Sequence, residues 1–70
     1  MSITREYVVS GMHCQHCAGS VSEEVSAVSG VTDVRVDLDS GRLVVISDAE
    51  IPFENIEAAV DEAGYSVATA

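Results

Sequence analysis

Lysine is missing from this chain altogether. Arginine occurs three times against twelve aspartates and glutamates, for a formal net charge of −9 over 70 residues. A chain so short of positive charge is repelled by phosphate backbones and anionic lipid, which argues against a nucleic-acid or membrane-surface binder. Long hydrophobic runs are missing too. The longest clean aliphatic stretch is Leu43-Val44-Val45-Ile46, against the roughly 18 residues that a membrane helix needs. Residues 1–6 show neither an apolar core nor a small-residue cleavage site. No secretory signal is read there, and the expected compartment is the cytoplasm. Cysteine is scarce: Cys14 and Cys17 are the only two. Two cysteines cannot build the disulfide framework of a small secreted domain, and a reducing cytoplasm keeps them as thiols. No linker, low-complexity stretch or charge run divides the chain, so a single domain over 1–70 is expected. Such a domain buries only roughly 60% of its unfolded surface. That leaves little room for a deep active site and argues against a multi-step enzyme. The 47% apolar fraction is nonetheless too high for a disordered acidic tail.

What is present reads as strand, helix, strand, and then the same again. Tyr7, Val8 and Val9 suit a strand over 6–10. Ala18, Val21, Val25 and Val28 follow at steps of three, four and three, one face of a helix that Gly30 can close. Val34, Val36 and Leu38 alternate with Arg35, Asp37 and Asp39, the period of a half-buried strand. Asp39-Ser40-Gly41 marks a hairpin turn, and strand character resumes over 43–46. Pro52 opens a second helix with Phe53, Ile56, Val60 and Ala63 on its inner face, and Gly64 ends it. A short last strand is expected over 65–69. The order βαββαβ predicts an α+β, ferredoxin-like sandwich: a four-stranded antiparallel sheet with two helices on one face. Val8, Val44 and Ile46 fall out of phase with Tyr7, Val9, Leu43 and Val45. They are expected as a small apolar stripe on the helix-free face, read as strand propensity.

One stretch carries chemistry. In Gly11-Met12-His13-Cys14-Gln15-His16-Cys17, two thiols and two imidazoles lie within five residues, between a predicted strand and a predicted helix. Cys17 falls at about the first helical turn, where unpaired N–H groups and the macrodipole favour a thiolate. Two thiolates at this spacing can approach one ion from two sides, and soft sulfur selects Cu(I) over hard cations. The pair alone leaves alternatives open. A redox dithiol expects a larger thioredoxin-like domain, with a proline or aromatic residue around the cysteines. A structural zinc site wants four ligands, which here means recruiting His13 and His16. Ala18 after Cys17 rules out the haem-attachment pattern.

This segment resembles the GMxCxxC signature of the heavy-metal-associated domain family, whose fold is βαββαβ. The likeness runs on through Ser29-Gly30-Val31 to Val36 and through Ala63-Gly64-Tyr65, and so covers essentially the whole chain. Within the family it is most similar to bacterial copper chaperones of the CopZ type, the other possibility being a detached metal-binding domain of a copper-transporting P-type ATPase. The resemblance implies that Cys14 and Cys17 hold one Cu(I) per chain as thiolates. It implies that Met12 packs under the loop and that Tyr65 shields the site from the side. Copper would then pass by ligand exchange to the metal-binding domain of a copper-transporting P-type ATPase, with a copper-responsive repressor as a second partner. No enzyme activity is implied. Position 13 departs from the family pattern: copper members usually carry Thr or Ser there, and His13 keeps a zinc-, cadmium- or mercury-handling domain in play. His13 is also the residue through which a second molecule could join a copper-bridged dimer, the metal-free form being a monomer. His16 could lower the thiol pKa as an imidazolium or hydrogen-bond sulfur as a neutral ring. The acids of the two predicted helices, Glu23, Glu24, Glu54, Glu57, Asp61 and Glu62, form a solvated face or a docking surface for a basic partner.

Overall fold

The computed structural model describes residues 2–12 and 15–69. Its elements run β1 (Ile3–Ser10), α1 (Gln15–Ser26), β2 (Val31–Asp37), β3 (Arg42–Ser47), α2 (Phe53–Glu62) and β4 (Ser66–Thr69). The strands form one antiparallel sheet in the order β2-β3-β1-β4. This is the predicted ferredoxin-like arrangement. Each βαβ half places its strands apart, and β1 and β3 meet in the middle.

The alternation read along the strands decides which face is covered. Tyr7, Val9, Leu43 and Val45 are buried beneath the helices, while Val8 on the opposite face is 40% exposed. Val44 and Ile46, on the same face of β3, are half-buried. Ala18, Val21 and Val25 come down from α1, and Ile56, Ala59 and Val60 from α2, into the same core. The side chains most completely enclosed are Leu43, Ile56, Val21, Val25 and Val60. Each contributes about 1.5–3 kcal/mol of burial. The core is thus aliphatic, with one aromatic contact at its edge: the rings of Tyr7 and Phe53 lie 5.9 Å apart, tilted by 38°.

Several boundaries differ from the sequence reading. β1 begins at Ile3 rather than at residue 6, because Ile3 to Val8 pair residue by residue with β3 and the ladder carries Arg5 and Glu6 along. α1 stops at Ser26, so Val28 and Gly30 lie beyond it. The Ser26 hydroxyl donates to the Glu23 carbonyl at 2.9 Å, and the chain tightens as the Val28 amide reaches the Val25 carbonyl at 3.0 Å. Gly30, at φ +96°, turns the chain into β2 instead of capping the helix. β2 starts at Val31, and a bulge between Val31 and Asp33 shifts its phase. Val31 and Val34, an odd number of positions apart, therefore both pack against the core. Pro52 sits one position before α2, as its N-cap. Tyr65 belongs to the turn that closes α2 and not to β4.

Candidate metal centre

The motif segment links the end of β1 to the start of α1. Gly11 leaves the strand at φ +94°. Met12 follows and is 9% exposed, a member of the core. His13 and Cys14 lie outside the described residues. The chain is described again at Gln15, where α1 begins, so Cys17 is the third residue of that helix. It is half-buried and packs against the core.

This position has a chemical consequence. The first amides of a helix lack an intrahelical acceptor, and together with the macrodipole they create a positive end. The first turn of α1 holds no acidic residue to offset it. A thiolate is the sulfur form favoured there, and it is the form that ligates soft metals.

His16 adjoins Cys17 in sequence but not in direction. Neighbours on a helix are rotated by about 100°, and His16 is exposed while Cys17 faces inward. Its carbonyl accepts from the Ser20 hydroxyl at 3.3 Å, and it lines a shallow depression with Gln15, Gly19, Ser20 and Glu23. Tyr65 comes from the far end of the chain. The turn closing α2 carries it to Gly11, where a Cβ would lie 3.2 Å from its Cδ1. Tyr65 also lines a cleft of about 290 Å³ beside α2, with Glu54, Glu57 and Asp61.

Met12, Cys17 and Tyr65 thus all reach the core, Tyr65 lies against Gly11 at the end of β1, and His16 stays on the solvent side. The role of Gly11 was not legible beforehand. It leads the motif, but its positive φ and its contact with Tyr65 appear only in the fold. Among the described residues no three His, Cys, Asp or Glu side chains come together to hold a metal elsewhere. No helix among them is long and apolar enough to cross a membrane.

Comparison with known proteins agrees with this architecture. The family model described as the heavy-metal-associated domain matches residues 6–66. The copper chaperone CopZ of Bacillus subtilis is 39% identical over 61 residues, covering 86% of this chain and 88% of that protein. The N-terminal domain of ZntA, solved in its apo form, is 34% identical with a TM-score of 0.89, over 100% of this chain and 94% of that one. A copper binding domain from HMA7, a P-type ATPase, is 27% identical with a TM-score of 0.86, over 100% of this chain and 95% of that one. With its match across both halves of the βαββαβ order, the chain belongs to the heavy-metal-associated domain family.

Proposed function

We propose that the chain is a cytoplasmic copper(I) carrier. The thiolates of Cys14 and Cys17 hold one Cu(I), and the cargo leaves by ligand exchange to the metal-binding domain of a copper-transporting P-type ATPase. The observation that carries this reading is the likeness to a copper chaperone over most of both chains, together with Cys17 on the first turn of α1. Like its family, the chain carries metal and is not an enzyme. Two-coordinate Cu(I) is held tightly yet stays open from the side, so an incoming thiolate can join before one of the first pair leaves. The ion is never released free. A fold shared with a copper binding domain of a P-type ATPase supports an acceptor built on the same plan. A copper-responsive repressor is a second acceptor of the same chemistry. The metal-free chain is a monomer, and His13 is the group through which a copper-bridged pair would form. The most completely buried side chains, Leu43, Ile56, Val21, Val25 and Val60, all come from the strands and helices, so the apo chain is expected to fold without metal.

The test is an anaerobic titration with Cu(I) held by a strong chromogenic chelator, run beside Zn²⁺. The expected outcome is uptake of about one Cu(I) per chain against the chelator. It is lost in Cys14→Ser/Cys17→Ser with the circular dichroism spectrum unchanged. Weak Cu(I) uptake beside tight Zn²⁺ binding would overturn the copper reading and bring His13 into the ligand set. Uptake of neither would favour a dithiol oxidoreductase. An unfolded double mutant would make the metal structural.

A further inference from the structure

Two distant segments meet where the chain turns into the metal loop, and a glycine on each side permits it. Gly11 has φ +94°, a conformation that side chains rarely adopt. Its missing Cβ is also a missing obstacle. That atom would lie 3.2 Å from Cδ1 and 3.8 Å from Cε1 of Tyr65. The aromatic ring therefore rests on bare backbone, closer than a Cβ would ordinarily allow.

Tyr65 is held from both ends. On its N-terminal side, α2 closes in a Schellman turn. The Gly64 amide donates to the Asp61 carbonyl at 2.9 Å, and the Tyr65 amide donates to the Val60 carbonyl at 3.1 Å. Gly64 takes φ +92° to make that turn, and the side chain of Val60 is fully buried in the core. On the C-terminal side, Ser66 pairs with Ser10 as β4 joins β1. Ser10 immediately precedes Gly11. Ser10 thus anchors the strand after Tyr65, and Gly11, just past the end of β1, bears the ring.

We propose that Gly11 and Tyr65 form a latch that fixes how the chain enters the metal loop before any metal arrives. Gly11 is a positioning residue because it provides the seat, and Gly64 because its turn delivers the ring. Met12, next along the chain, is already locked in the core. The loop therefore enters from a rigid base, and capturing an ion costs less ordering than it would from a free coil. The metal role of the latch rests on the reading of Cys14 and Cys17 as ligands. Its existence does not, and the test separates the two.

The test is a double-mutant cycle on the full apo chain: Gly11→Ala, Tyr65→Ala and both together, with Tyr65→Phe as the ring-preserving control. Two quantities are read: the thermal midpoint, and the rate at which iodoacetamide alkylates the thiols of the folded, reduced protein. Gly11→Ala should lower the midpoint in both backgrounds through its positive φ, and by a further increment in the Tyr65 chain, where the ring must also be displaced. Alkylation should accelerate several-fold in Gly11→Ala and in Tyr65→Ala, and much less in Tyr65→Phe, which keeps the ring. Equal midpoint losses in both backgrounds would overturn the latch, since backbone strain alone would then explain the glycine. So would a wild-type alkylation rate in Tyr65→Ala, or a Tyr65→Phe chain that behaves like Tyr65→Ala. Should Gly11→Ala fail to fold, the Tyr65 pair alone decides, because both variants keep the seat. A Cu(I) competition on the same variants then reads the metal role, with weaker retention expected wherever alkylation is faster. If the wild-type chain takes up no Cu(I), the carrier reading falls while the apo cycle still decides the latch.

Discussion

Glycine shows how far one residue type can differ by place. At Gly19, in the body of α1, an added Cβ would meet nothing within 4 Å. At Gly41, φ is +71° and the same atom would lie 2.9 Å from the Val9 carbonyl oxygen. The Gly41 carbonyl in turn accepts from the Val9 amide at 2.8 Å. The turn between β2 and β3 is therefore pressed against the end of β1, two residues before Gly11. Gly19→Ala should stabilise the protein by about 0.5–1 kcal/mol, since alanine restricts the unfolded chain and favours helix. Gly41→Ala should cost about 2 kcal/mol or more, from positive φ and the backbone clash together. Urea denaturation of both variants checks the pair, and equal signs would contradict the geometry. The turn at Gly41 was legible in Asp39-Ser40-Gly41. Its closeness to Val9 was not, because that depends on β1 and β3 pairing across the sheet.

At the scale of elements, α2 does two jobs. It drives Ile56 and Val60 into the core, and the turn that closes it brings Tyr65 against Gly11. Gly64 serves that last turn alone: a Cβ there would meet nothing within 4 Å. Gly64→Ala should therefore cost only about 1 kcal/mol, the penalty of a left-handed alanine. Chemical denaturation checks this, and a loss several times larger would mean that Gly64 is packed against something. The stop at Gly64 was readable from the apolar spacing of Phe53, Ile56, Val60 and Ala63. The stop at Gly30 was not, although the spacing of Ala18, Val21, Val25 and Val28 looked the same. Helix period tells which residues share a face. It does not tell whether the last of them is still helical, which in α1 is decided by hydrogen bonds from Ser26 and Val28 back into the final turn. The bulge in β2 escaped for a similar reason, since it exists only relative to the partner strand.

Over the whole molecule the charges are segregated. α1 carries Glu23 and Glu24, and α2 carries Glu54, Glu57, Asp61 and Glu62, with no arginine on either helix. All three arginines sit in strands, each paired: Arg5 with Glu50, Arg35 with Asp33 at 3.5 Å, and Arg42 with Glu6 at 3.3 Å. These pairs are well exposed, and such pairs are worth little. Repulsion among the uncompensated carboxylates is the stronger of the two effects. Raising sodium chloride from about 10 mM to about 500 mM shortens the screening length several-fold. The thermal midpoint should then rise by several degrees. A fall, followed by circular dichroism, would show that the arginine pairs outweigh the repulsion.

The chain alone settled the order of elements, the buried faces of β1 and β3, the acidic helices and the one loop bearing two thiols. Each of these is written in neighbouring residues, through their periodicity, turn chemistry and charge. Only the tertiary structure decided that Tyr65 rests on Gly11, that Gly41 abuts Val9, and that Val31 joins the core out of phase. Those facts depend on strand register and on how helices close. Both are set by contacts between segments far apart in the chain, and no local pattern encodes them.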